Sequence, residues 1–257
     1  MTQPREIRHY GWIPDVPDQR DHLYAAPPRY LAALPAKTDL RRRCPPVYDQ
    51  GNLGSCTANA IAAAVEFDRM KQGLSDFVPS RLFIYYNERK IEGTVAIDSG
   101  AMIRDGIKSV ASDGACPEPE WPYVIANFAR RPPAKCYRDA RLDRAISYQK
   151  ILKDLNQMKG CLASGFPFIF GFTVYESFET PAVAKTGHVP MPGWMERAVG
   201  GHAVLAIGYD EVRKWFLVRN SWGTRWGMKG YFTMPYAYLL QPGLSEDFWT
   251  IRLVGSD

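Results

Sequence analysis

Gln50-Gly51-Asn52-Leu53-Gly54-Ser55-Cys56 sets a cysteine at the head of an apolar pattern. Ala58, Ile61, Ala62, Val65 and Met70 recur at helical spacing and stop before Gly73. This predicts a helix with one buried face, Ser55 as its N-cap and Gly54 as the pliant residue that lets the chain turn ahead of it. A thiol attacks well only as thiolate, and the positive end of a helix favours that anion. Taken alone, Cys56 reads as a small core residue. Two later stretches change that reading. Gly200-Gly201-His202-Ala203-Val204 brings an imidazole to the start of a strand, where the glycines permit close backbone approach. Asn220-Ser221-Trp222-Gly223 brings an amide able to fix the tautomer of that ring. Gln50 precedes the thiol by six positions. Its amide hydrogens, with the backbone N–H of Cys56, form a pair of donors for an oxygen that turns negative, each worth about 3 kcal/mol of barrier. Cys56, His202, Asn220 and Gln50 are therefore the candidate catalytic residues.

These motifs resemble the papain-like cysteine peptidases from about Leu34 to the end of the chain, with Asn220-Ser221-Trp222-Gly223-Thr224-Arg225-Trp226-Gly227 and Gly230-Tyr231 as further markers. The family places its histidine and asparagine about 130 to 150 residues past the cysteine; here the separations are 146 and 164. Within the family, the chain looks most like a bacterial branch with a short N-terminal extension. The resemblance implies a two-lobe α+β fold, with a helical lobe over residues 34–143 and an antiparallel, β-barrel-like lobe over 144–257. The cleft lies between the Cys56 helix and the His202 strand. It implies an endopeptidase that works through a thioester on peptide or protein substrates, as a monomer, with no metal and no cofactor. Residues 1–33 then form a prosegment that covers the cleft. Gly100 is expected to bind substrate backbone, Ala101 and Met102 to line a roomy apolar pocket, Gly201 to border it, and Trp222 to shield the histidine–asparagine bond. The pattern departs from the family at Leu53, which replaces a cysteine that normally forms a disulfide. Thr57 and Asn59 replace two aromatics at the helix head. The same triad also serves a thiol amidase or transpeptidase, or a silent binding module.

The rest of the sequence bounds the class. With 46% hydrophobic and 13% aromatic residues, the 257-residue chain has enough apolar surface for one large core. No run of about 18 apolar residues marks a membrane span, and Met1-Thr2-Gln3-Pro4-Arg5-Glu6 lacks the apolar region of a Sec signal. A cytoplasmic location or a non-Sec export route is the expectation. The charge of +5 and the single basic run Arg41-Arg42-Arg43 come with no nucleic-acid motif, so a solvated or salt-bridged face is expected there. His9, His22 and His188 have no partner motif and read as structural or surface residues. Five cysteines leave one free nucleophile and up to two bridges among Cys44, Cys116, Cys136 and Cys161, or none in a reducing compartment. Cys116 with Cys136 is the first pairing to try, both lying in a proline-rich loop.

Further helices are predicted over 81–89 and 102–112, and helical spacing runs from Ile151 to Leu162. Strands are predicted over 167–174, 202–209, 215–219 and 230–234, with residues 210–214 as a hairpin link. Helices first and antiparallel strands second is an α+β order.

Overall fold

The computed structural model describes residues 10–255; His9 lies outside them. The chain opens with strand β1 (Trp12–Ile13), helix α1 (Pro28–Ala32) and strand β2 (Lys37–Asp39). Pro14, Pro17, Pro27 and Pro28 keep this part largely extended, because proline removes the amide that a helix interior needs. Helices α2 (Cys56–Lys71), α3 (Arg81–Glu92) and α4 (Ile103–Asp113) follow, with the short strand β3 (Ala101–Met102) leading into α4. α3 starts at Ser80, whose hydroxyl accepts the amide of Phe83 at 3.2 Å, and stops at Gly93 with φ +74°.

After α5 (Ala134–Ala140) the chain alternates strands with short helices: β4 (Arg144–Lys150), α6 (Leu155–Ala163), β5 (Phe168–Tyr175) and α7 (Pro181–Thr186). Then come β6 (Ala198–Asp210), β7 (Trp215–Arg219), β8 (Tyr231–Pro235), α8 (Tyr236–Leu240) and β9 (Ser245–Gly255). The strands pair antiparallel in the order β4-β9-β5-β6-β7-β8, and β2 adds to β6. The α+β, papain-like architecture expected from the sequence is present. The sheet itself is open rather than closed into a barrel, with β4 and β8 as free ends of the order.

α2 lies where the apolar pattern put it but is buried on all sides from Cys56 to Arg69, while Met70, counted in the buried face, is 37% exposed. It packs on α3 and α4 from one direction and on β6 and β9 from the other. Ala58, Ala60, Ala62, Ala63 and Ala64 allow both approaches, and a helix wrapped on all sides needs no polar face. On the sheet, the aromatic side chains of Phe168, Phe170, Phe172, Phe178, Phe216 and Phe248 pack on one another, with ring centroids 5.2–6.2 Å apart. α6 begins later than the helical spacing suggested, because Asp154 caps it by accepting the amide of Gln157 at 2.9 Å and leaves Ile151 and Leu152 outside.

All five cysteines are thiols, so no disulfide joins Cys116 to Cys136. Those two do share a small buried cluster with Phe83 and Ala140, so the loop brings them together as packing residues. Arg41 pairs with Asp39 at 2.5 Å on a half-exposed turn, the salt-bridged face expected of the arginine run. His188 bonds Thr233 at 2.9 Å and stacks on Trp215, a structural role. Among the described residues, no helix is long and apolar enough to cross a membrane.

Candidate active site

Cys56 is the first residue of α2 and is fully buried. Burial pushes its thiol up to about 12, against the opposing pull of the backbone N–H groups of Ala203, Gly11 and Thr57. Ala203 follows His202 directly on β6, so the fold brings the head of α2 to the histidine strand across a sequence gap of 146 residues. Across the ring, His202 Nε2 lies 2.9 Å from Asn220 Oδ1. The side-chain oxygen of Asn220 also accepts the amide of Ser221 at 2.8 Å, which holds the carboxamide in one orientation. Trp222 tilts over His202 with ring centroids 5.0 Å apart. An imidazole anchored through Nε2 is held to one tautomer when neutral.

Gln50 is 2% exposed and fixed at both ends of its amide. Ser221 Oγ donates to Oε1 at 2.5 Å, and Nε2 donates to Leu53 O at 3.0 Å. One amide hydrogen is thus used on the loop that Gln50 spans. The role of Ser221 in orienting Gln50 was not read from the sequence. The place of Ser221 directly after Asn220, inside the asparagine motif, is the signal that could have found it.

Ser55 occupies the N-cap position but does not cap with its side chain. Its hydroxyl bonds the Tyr123 hydroxyl at 2.5 Å and accepts from Asn59 Nδ2 at 3.1 Å, while Tyr123 donates to Gln50 O at 2.9 Å. Thr57 donates to the buried Glu88 at 2.7 Å. Thr57 and Asn59, in place of the family's aromatics, therefore build a polar brace around the helix head. Burial holds the Glu88 carboxyl well above the usual carboxylate range.

The groove around these residues is filled by Tyr10, Gly11 and Trp12. β1 pairs parallel with β3, Trp12 opposite Ala101 and Ile13 opposite Met102, and the Ala101 amide donates to Gly11 O at 2.8 Å. Glycines line the passage. A Cβ on Gly11 would overlap the carbonyl of Gly54, and one on Gly100 would overlap the backbone of Gly11. A Cβ on Gly200 would meet Tyr10 at 2.6 Å, and one on Gly201 would meet Trp12 at 2.7 Å. Trp12 sits in the slot bordered by Ala101, Gly201 and Gly171, its indole N–H donating to Asp247 at 3.1 Å. Tyr10 meets the His202 ring edge-on at 6.0 Å and donates to Glu179 at 2.5 Å. Of the residues expected to bind substrate, Gly100, Ala101, Gly201 and Trp222 all lie around this segment; Met102 meets only its Ile13 and donates its amide to Glu92 at 2.7 Å.

Residues 34–244 match the family described as papain family cysteine protease. The chain is 42% identical over 272 residues to an uncharacterized peptidase C1-like protein of Acanthamoeba polyphaga mimivirus, covering 96% of this chain and 88% of that protein. It is 30% identical to a cathepsin B-like protein of Giardia intestinalis, covering 73% of this chain and 63% of that relative. Among solved structures, xylellain, a cysteine protease from Xylella fastidiosa, superposes with a TM-score of 0.91 at 45% identity, covering 100% of this chain and 99% of that one. A digestive procathepsin L of Tenebrio molitor shares the fold with a TM-score of 0.72 at 18% identity, over 96% of this chain and 76% of its own. The chain belongs to the papain family of cysteine proteases and is a hydrolase acting on peptide bonds.

Proposed function

We propose that the chain is a cysteine endopeptidase held latent by its own N-terminal arm, with Cys56 as nucleophile, His202 as acid and base, Asn220 as the group that orients the ring, and Gln50 as an oxyanion donor. Residues 1–33 are the arm, 34–143 the helical lobe and 144–257 the sheet lobe, with β2 crossing over to pair with β6. The observation that carries the reading is the passage of Tyr10, Gly11 and Trp12 between Gly54, Gly100, Gly200 and Gly201, directly over the cysteine and the histidine. A peptide substrate needs that same glycine-lined space.

With the groove open, the Cys56 thiolate attacks the substrate carbonyl and the oxygen turns negative against Gln50 Nε2 and the Cys56 amide. His202 protonates the leaving amine, and water then hydrolyses the thioester with His202 as base. No step calls on a metal or an organic cofactor. With the groove filled, the arm excludes substrate, while burial holds the Cys56 thiol above its ordinary value against the backbone N–H groups, Gly11 among them, that favour the anion. Exposure of the full chain to a peptidyl epoxide at neutral pH, followed by mass analysis, tests the assignment. Slow, stoichiometric labelling of Cys56 is expected; labelling of another cysteine, or none after the arm is cut, counts against it. Gln50→Ala is expected to lower kcat about a hundredfold with little change in KM, the usual effect of removing one oxyanion donor. A KM effect alone, measured on a dipeptide amide reporter, contradicts this role.

The arm is anchored away from the cleft as well. Asp15 accepts from the Arg104 amide at 3.0 Å and the Trp249 indole at 2.8 Å, and Asp21 pairs with Arg104 at 2.6 Å in a site where both side chains are under a tenth exposed. Removing one partner of such a buried pair costs about 3–5 kcal/mol. Asp247 accepts from both Trp12 Nε1 and the Asp15 amide. Burial first, and then the charge of Asp15, raise its carboxyl to about 6, outweighing these donors and Lys150. Because the seated arm raises this pKa, seating takes up a proton. This contribution to the arm's hold is complete below the ordinary carboxylate pKa and is lost as pH rises through about 6. Hydrogen exchange at the Ala101 amide, corrected for the intrinsic rate, should therefore show protection falling between about pH 4 and 7. Asp247→Asn should flatten that profile, and a protection that rises with pH excludes the mechanism.

A further inference from the structure

Leu53 stands where the family pattern has a cysteine, so the loop ahead of Cys56 has no covalent tie to the opposite wall of the groove. A hydrogen-bonded tie is present instead. Both carboxylate oxygens of Asp98 lie 3.1 Å from the Gly54 nitrogen and accept its N–H. The Tyr85 hydroxyl donates to Asp98 Oδ1 and accepts from the Gly100 amide at 3.2 Å. One carboxylate and one phenol therefore join Gly54, on the nucleophile loop, to Gly100, on the far side of the groove.

The support behind this tie is rigid. Tyr85 is fully buried on α3, and the Arg89 guanidinium lies over its ring at 3.8 Å. Arg89 also donates to the carbonyls of Val95 at 3.0 Å and Ile97 at 2.8 Å, which clamps the segment that presents Asp98. Gly54 has no side chain through which neighbours can hold it, and an unrestrained glycine samples more backbone conformations than any other residue. Its amide is the available handle. Gln50 Nε2 holds Leu53 O and Tyr123 holds Ser55, so Asp98 completes the restraint of the three residues that lead into the nucleophile.

We propose that Asp98 is a positioning residue for peptide cleavage, fixing through Gly54 the orientation of the Cys56 amide toward the oxyanion and, with Tyr85, setting the width of the groove at Gly100. The negative charge matters beyond shape, because a charge-assisted bond to a backbone amide is about twice as strong as a neutral one.

Two rates measured on the full chain separate this role from a general loss of structure. Turnover of a dipeptide amide reporter requires an open groove, a thiolate and the oxyanion site. Alkylation of Cys56 by iodoacetamide, followed by mass, requires the first two and forms no oxyanion. The ratio of turnover to alkylation thus cancels arm opening and thiol ionisation. Asp98→Ala is expected to lower that ratio by on the order of ten- to a hundredfold, the scale of an ångström-level misplacement. Asp98→Asn, which keeps one acceptor oxygen, should lower it less, and Tyr85→Phe should do the same by releasing Asp98 from its support. Should the alanine variant fail to fold, the other two carry the same comparison. A ratio that stays at the unsubstituted value, whether both rates fall together or neither moves, overturns the proposal.

Discussion

Cys56→Ala abolishes peptide hydrolysis while leaving the fold in place: the expected fall in kcat on a peptide amide reporter is on the order of a million-fold, as when the nucleophile of a catalytic triad is removed. The magnitude follows from what remains. His202, still anchored on Asn220, can activate only a bulk water that no residue positions, and Gln50 faces a carbonyl oxygen that no thiolate attack at its carbon turns into an oxyanion. The cost to stability is small because Cys56 is a fully buried small residue on an alanine-rich helix, and alanine continues that pattern. Loss of the sulfur from this site should cost about 1 kcal/mol, the common scale for a point change. Thermal unfolding of the variant, followed beside reporter turnover, checks both halves. A folded Cys56→Ala variant that keeps more than a trace of the activity removes the thioester from the mechanism.

The opposite outcome is expected at Gly11. Gly11→Val places two methyl groups where even a Cβ overlaps the Gly54 carbonyl. The neighbours are backbone, not flexible side chains: Gly54 is held by Asp98 and Gly100 by Tyr85. The clash is therefore relieved by lifting residues 10–12 out of the groove. The arm stays tethered through Asp15 and Asp21 on Arg104, so the buried guanidinium keeps its partners and the protein keeps its stability. Deleting residues 1–33 lacks that protection, since it strips Arg104 of both carboxylates and Gly171 of the Trp12 ring that covers it. Reporter turnover by Gly11→Val should rise on the order of ten- to a hundredfold over the unsubstituted chain, as a mostly closed population shifts to open. Labelling of Cys56 by a peptidyl epoxide should accelerate by the same factor, because both report the open fraction. A folded variant whose two rates match those of the parent contradicts latency imposed by the arm.

Part of the fold was readable because its signals are local. The head of α2, the strands Phe168–Tyr175 and Trp215–Arg219 and the hairpin between β6 and β7 announce themselves through apolar spacing, β-branched and aromatic runs and turn residues. β4 and β9 were not assigned. Arg144, Gln149 and Lys150 dilute the first, an edge strand only partly buried, and Glu246 and Asp247 interrupt the second just before Phe248-Trp249-Thr250-Ile251. Ser55 shows a local rule overridden by its surroundings: a good capping residue gives its hydroxyl to Tyr123, 68 positions away, because that bond braces the nucleophile loop.

The sequence by itself determined the chemistry. Gln50 lies six positions before Cys56 at the head of α2, His202 sits on β6 and Asn220 just past the end of β7, and their side-chain types in that chain order point to attack by a thiol on an acyl group. The tertiary structure alone decided what stands in the groove and what holds its walls. Trp12 meets Asp247 across 235 positions of chain, Gly54 meets Asp98 across 44, and Gln50 meets Ser221 across 171. No periodicity or motif encodes such pairs. They form only when a packed core, stabilised by the sum of many apolar contacts, brings distant segments within the roughly 3 Å over which a hydrogen bond acts.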